Sequence, residues 1–154
     1  MRKIYIASSW KNKEYVSLLA KALRDHGHEV FDFTDGDRRP EGLDKFTFNA
    51  SVAAAVYGKR REDIEYKDFM TWEPTKRAFK SDKAGLDWAD TVVLLLPCGR
   101  SAHLEAGYAA EKGKDLIVYG DLPLGEFEAM YGFAKAVFRA SEFKDLIKEL
   151  EASK

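Results

Sequence analysis

The sequence predicts an α/β fold, a flavodoxin- or Rossmann-like three-layer sandwich with a roughly five-stranded parallel sheet. Three observations carry this. Short apolar runs at 4–7 and 92–96 have the unbroken hydrophobicity of strands covered on both faces. Segments with apolar residues at helical spacing alternate with such runs, the pattern of strand–helix–strand units. At 92–105 the chain reads strand, tight loop and helix start, the junction at which open α/β sheets bind ligands. The 154 residues, 45% hydrophobic and 13% aromatic, suffice for one full core and predict a single domain over 1–154.

The first strand is expected at 4–7, followed by the loop Ser8-Ser9-Trp10-Lys11-Asn12. Residues 13–26 place Tyr15, Val16, Leu19, Ala20 and Leu23 at helical spacing, and Gly27 is the expected terminator. A second strand follows at 29–33. Residues 34–45 are polar, with turn signals at Asp35-Gly36-Asp37 and Pro40-Glu41-Gly42. A short helix is expected within 46–57, and 58–72 carries no clear period. Pro74 suits the first turn of a helix reaching Trp88. The third strand is 92–96. Ser101 is the expected N-cap of an Ala-rich helix over 102–113, which Gly113 ends. A strand at 116–119, a helical turn at 126–133, a short strand at 136–138 and an amphipathic helix at 142–151 complete the order.

Composition narrows the function. The formal net charge of −1 leaves no global field to attract a nucleic acid polymer or an anionic membrane. The clusters Arg38-Arg39 and Lys59-Arg60-Arg61 read as solvated loops. Cys98 is the single cysteine, so no internal disulfide and no metal-ligand pattern is expected. It reads as a small loop residue rather than a nucleophile. The N-terminal apolar run is too short for a signal peptide, and no stretch approaches the roughly 20 apolar residues of a membrane span. A cytoplasmic protein is expected.

Two carboxylates stand out. Glu105 falls about one turn inside the 102–113 helix, where the helix dipole favours a negative charge, with Arg100, Ser101 and His103 nearby. Asp82 falls in a stripe with Ala78, Phe79 and Leu86, where an acid is costly unless paired or facing a cleft. Both are expected in one crevice above the strand ends. Two carboxylates in a cleft suit chemistry at an acetal-like carbon, one attacking and the other shuttling a proton. The expected division leaves Glu105 anionic as nucleophile and Asp82 protonated as general acid.

The chain resembles the nucleoside 2-deoxyribosyltransferase family, which includes deoxynucleoside 5′-monophosphate N-glycosidases. Four places carry the resemblance: Lys3-Ile4-Tyr5-Ile6-Ala7; Phe79-Lys80-Ser81-Asp82 with Asp87-Trp88-Ala89-Asp90; Gly99-Arg100-Ser101-Ala102-His103-Leu104-Glu105-Ala106-Gly107-Tyr108-Ala109; and Gly113-Lys114 leading into 116–119. Segment 34–72 matches nothing in it. The resemblance implies that Glu105 attacks the anomeric carbon to give a covalent glycosyl-enzyme, while Asp82 assists the departing base. A second base or water then resolves the intermediate. It further implies that Tyr5 lines the pocket and that Ser8, Ser9 and Trp10 form its wall. No metal or organic cofactor is needed. The expected partner is a small-molecule nucleoside or nucleotide, and a homo-oligomer is expected, with Met130-Tyr131 reaching a neighbouring site.

Two departures bear on the branch. Transferases of the family often carry an acid six positions before the nucleophile, where this chain has Gly99. Monophosphate hydrolases have a small-residue phosphate loop there, and Gly99, Arg100 and Ser101 at a helix start suit an anion. Some transferases lend a C-terminal aromatic, absent from Leu150-Glu151-Ala152-Ser153-Lys154. Both lean toward hydrolysis. The alternatives are a TIR-like NAD-cleaving or signalling domain, a flavin or nucleotide binder without catalysis, and a family member that only binds nucleotides.

Overall fold

The computed structural model describes residues 1–152; Ser153 and Lys154, the last positions of the expected domain and of its aromatic-free end, lie outside the described residues. Five strands form one all-parallel sheet in the order β2-β1-β3-β4-β5: β1 Lys3–Ala7, β2 Glu29–Asp32, β3 Thr91–Leu95, β4 Asp115–Tyr119 and β5 Ala136–Phe138. Register places Tyr5 beside Phe31 on one side and Val92 on the other. The sheet reverses direction of growth between β1 and β3, which is where such folds open a crevice.

Side chains alternate along each strand, so the sheet has two unlike faces. Ile4, Ile6, Val30, Val93, Leu95 and Ile117 pack under α1 (Lys13–Asp25) and α6 (Phe143–Glu151), against Val16, Leu19, Leu23, Leu146 and Leu150. Each such side chain contributes roughly 1.5–3 kcal/mol on burial. The opposite face, with Tyr5, Ala7, Phe31, Val92, Leu94 and Val118, lies under α4 (Glu73–Trp88) and α5 (Arg100–Glu111). Small residues Ala102, Ala106 and Ala109 let α5 lie close to the strands. Between β2 and α4 come α2 (Ala50–Val56), capped by the Asn49 side chain, and the single turn α3 (Tyr66–Phe69). Trp72 is buried, its ring stacked on Tyr57 at 4.2 Å.

Several local expectations are corrected. Tyr15 is 67% exposed, because the buried stripe of α1 is Val16, Leu19, Ala20 and Leu23. Phe79 is likewise 67% exposed; the covered face of α4 is built instead from Thr75, Ser81, Gly85 and Leu86. The helix predicted over 102–113 starts earlier. Gly99, in extended conformation, is its N-cap, and Ser101 is an exposed residue of its first turn. Gly113 does end it, with a left-handed φ of 72°. Residues 58–72, unread in the sequence, hold only a short 3₁₀ turn at Arg61–Asp63 and α3.

At the opposite end of the sheet from the β1 and β3 loops, Arg2 is 3% exposed. It donates to Asp115 (2.7 Å), Thr91 Oγ1 (3.0 Å) and the carbonyl of Leu150 (2.6 Å), tying β1, β3, β4 and α6 together.

Candidate active site

Tyr5 sits in the middle of β1 and faces α4 and α5. It is 1% exposed, and its ring stacks on Phe31 with centroids 4.9 Å apart and planes 14° from parallel. Its hydroxyl donates to Oε2 of Glu105, in the second turn of α5. Glu105 follows Ala102 by three residues, at the rim of the helix's buried face, which aims it at the sheet. Asp82 approaches from α4, half-buried, next to Ser81 and one turn before Gly85. The two carboxyl groups therefore come from two helices onto the Tyr5 face of β1, rather than from the strand tips alone.

Electrostatics in this crevice reverse the expected division of protons. Burial and the neighbouring Asp82 push Glu105 up to about 8, against a weaker lowering by the Tyr5 hydrogen bond. Burial pushes Asp82 up to about 6, with Arg39 pulling it back down. Glu105 is thus the better proton holder in the unliganded site. The groups expected to keep it anionic are turned away. Arg100 is exposed. His103 sets Nδ1 against the Gly99 carbonyl (2.7 Å) and Nε2 against the Tyr131 hydroxyl (3.0 Å). Tyr131 is held by this contact and a stack on His103 at 5.8 Å, so its ring is engaged within its own chain.

The remaining predicted residues form two loops beside the carboxylates. Ser8 is buried, and its hydroxyl donates to the Leu95 carbonyl (2.9 Å), which spends it on joining β1 to β3. Ser9 uses its carbonyl to accept from the Asn12 amide (2.9 Å). Trp10 packs edge-on to Phe33 at 5.6 Å and lines an outer groove with Lys13, Asp32, Thr34 and Arg38, which reaches neither Glu105 nor Asp82. Gly99, Arg100 and Ser101 form the exposed start of α5. Cys98 is partly covered, and burial together with Glu105 pushes its thiol up to about 11.

Three contributors were not legible in the sequence. Asn12 is buried and donates to the Ser8 hydroxyl (3.3 Å) and the carbonyl of Pro97 (3.4 Å), locking the two loops together. Phe31 supports Tyr5 from a strand that reads as ordinary core. Arg39 is buried beside Asp82, although its sequence context is that of a solvated basic pair. Among the described residues no cluster of three or more His, Cys, Asp or Glu is arranged to hold a metal ion, and no helix is long and apolar enough to cross a membrane.

The fold and site together define an α/β sandwich of flavodoxin strand order with a phenol-backed carboxylate pair over its first strand. No family model matches the sequence, and no curated protein does. Solved structures do match. A 2-deoxyribosyltransferase from Bacillus psychrosaccharolyticus aligns with a TM-score of 0.59 and 20% identity over 98% of this chain and 91% of that one. The CMP N-glycosidase BcmB of Clostridium botulinum aligns with a TM-score of 0.53 and 13% identity over 97% and 98%. Both share this α/β fold, so the fold implied by the motif resemblance is the fold found.

Proposed function

We propose that the protein cleaves or transfers the N-glycosidic bond of nucleosides or nucleotides, with Glu105 as nucleophile and Asp82 as its proton partner. The observation that carries this is the convergence of Tyr5, Glu105 and Asp82 on one crevice. A likeness in fold to a 2-deoxyribosyltransferase and a CMP N-glycosidase supports it.

In this reading a Glu105 oxygen forms a bond to C1′ as the C1′–N bond breaks. The base leaves with the bonding electrons and takes a proton delivered by Asp82. Water or a second base then attacks C1′, gives its proton to Asp82, and releases Glu105. The proton inventory suits this sequence. With Glu105 near 8 and Asp82 near 6, the unliganded pair holds about one proton at neutral pH, the number the departing base requires. Positive charge developing at C1′ favours the anionic nucleophile, and the Tyr5 hydrogen bond favours the same form. The proton thereby passes from Glu105 to Asp82 as substrate binds.

One observation favours hydrolysis of 5′-monophosphates over base exchange. Gly99 brings no carboxylate to the position six before Glu105, and the exposed first turn of α5 offers Arg100, the Ser101 hydroxyl and free amides to a phosphate. Cytoplasmic residence and a homo-oligomeric state belong to the same reading; light scattering checks the latter, and a monomer removes it.

Chromatographic detection of free base tests the proposal, with deoxynucleosides, their 5′-monophosphates and NAD as substrates, each with and without a second base. Base release from monophosphates alone supports the hydrolase. A new nucleoside formed only with added base supports the transferase. Turnover of NAD alone supports a TIR-like enzyme. No product from any substrate, or activity surviving Glu105→Ala, overturns the mechanism.

A further inference from the structure

Arg38 and Arg39 are adjacent in sequence and opposite in circumstance. The Arg38 side chain is 66% exposed and 3.7 Å from Asp35. Arg39 is 8% exposed, with its guanidinium 4.2 Å over the ring of Phe31. Its Nε donates to the Asp32 carbonyl (3.1 Å), Nη1 to the Asp44 carbonyl (2.8 Å) and Ser81 Oγ (3.2 Å), and Nη2 to the Phe33 carbonyl (3.1 Å). Among the described residues these four contacts go to three carbonyls and one hydroxyl, not to a carboxylate.

A buried cation with only neutral acceptors is costly. Nearby acids have other commitments. Asp44 is gripped by both Arg77 nitrogens (3.0 and 2.9 Å), and Asp32 Oδ1 accepts from the Thr34 amide and hydroxyl (2.8 and 2.7 Å). Among the acids whose charge acts on Arg39, Asp82 comes first, ahead of Asp32 and Asp44, and Arg39 already holds its chain neighbour Ser81. The same guanidinium sits on Phe31, which stacks on Tyr5, which donates to Glu105. One side chain thus touches the supports of both carboxylates.

We propose that Arg39 is a positioning residue for this site. It fixes α4 through Ser81 and the Tyr5 ring through Phe31, and its charge keeps a carboxylate at Asp82. The titratable groups facing this cluster are Tyr5 from β1, Asp32 and Asp44 from the segment around Arg39, Asp82 from α4, and Glu105 and Cys98 from α5 and its approach. Arg39 is the cation acting on Asp82 in this set. In substrate turnover it holds the proton on the nucleophile until the sugar arrives. The inference rests on reading Asp82 and Glu105 as the reacting pair, but its test does not need a substrate.

The experiment is a carboxyl titration of the ligand-free protein by isotope-edited NMR, with Asp82→Asn to assign the resonance. In Arg39→Gln the Asp82 midpoint is expected to rise by about one pH unit or more. Arg39→Lys, which restores charge without the planar fork, returns at least half of that shift. The acid limb of kcat/KM for base release moves by the same amount. An unmoved midpoint in folded Arg39→Gln, or equal behaviour of the lysine and glutamine variants, overturns the proposal. Should Arg39→Gln not fold, Ser81→Ala removes one anchor only. A rise of a few tenths of a pH unit there supports the proposal, and no change overturns it. A shifted midpoint in a protein that releases no base from any substrate supports the positioning role and removes the glycosidic reading alone.

Discussion

Gly85 lies against the ring of Phe31 so closely that an added Cβ would stand 2.6 Å from a ring carbon. This contact sets how near α4 comes to the sheet, and Asp82 is one turn away on the same helix. Gly85→Ala is therefore expected to push α4 outward. Overpacking costs about 1–3 kcal/mol, and the better helix propensity of alanine returns up to about 1 kcal/mol. Urea unfolding reads the net loss, and base release should fall further than stability does. Unchanged activity and an unchanged midpoint would show that the helix relaxes freely.

Stability should decline with rising pH, and Glu105 should be the main cause. Its folded-state value is about 8 against an ordinary 4.5, so the folded protein binds more protons than the unfolded chain between these values. The associated stability is complete below about pH 4.5 and is lost as pH rises through about 8. Asp82 adds a smaller loss between 3.8 and about 6. Glu105→Gln should flatten the decline between pH 6 and 8 and raise Tm most at the alkaline end. A parallel curve for the variant would contradict the burial of this charge.

Tyr5→Phe keeps the stack on Phe31 and deletes the hydrogen bond to Glu105. A bond to an ionised group is worth about 1.5–3 kcal/mol, so base release should fall roughly 10- to 100-fold. The bond lowers the Glu105 value, so its loss moves the pH limb governed by Glu105 upward. A fall in rate with an unmoved limb would point to altered packing instead.

Arg2→Ala strands Asp115 with Lys135 alone, at 3.3 Å, and leaves the Thr91 hydroxyl and Leu150 carbonyl without this donor. Removing one partner of a buried pair costs about 3–5 kcal/mol, and Asp115, a third exposed and still beside Lys135, brings the expected loss to the lower end of that range or below. A stability loss of about 2–3 kcal/mol by urea unfolding is expected, whereas a change under about 1 kcal/mol would show that the pair is screened like a surface charge.

Cys98 should react slowly with iodoacetamide near pH 7.5, because its thiol is pushed up to about 11. Cys98→Ala should keep base release within about threefold. Fast labelling, or a loss of activity matching that of Glu105→Ala, would reopen the nucleophile question.

The strands were legible because each holds a short apolar stretch bounded by polar or turn residues; β5 was read to the residue and the others within one residue at each end. Glu105 and Asp82 were legible as acids on otherwise apolar or small-residue helix faces. Their protonation order was not, because it depends first on how deeply the fold buries each and then on Arg39, which comes from a loop far off in the chain. The N-cap of α5 was misplaced by two residues, since Ser101 is the better capping side chain while the backbone turns at Gly99. Phe79 misled in the same way: helical spacing puts it near the buried stripe, but nothing in the sequence tells where the cover ends.

The two faces of the sheet divide the molecule's duties. Under α1 and α6 the fully buried cluster is hydrocarbon, edged by the Tyr119 ring, while the other face carries the Tyr5 phenol, both acids and the arginine. An engineer could therefore harden the protein by repacking Val16, Leu19, Leu146 and Leu150 while leaving the proposed reacting groups undisturbed. A library aimed at new substrates would vary only the α4 and α5 layer, with the opposite layer serving as a reserve of tolerance.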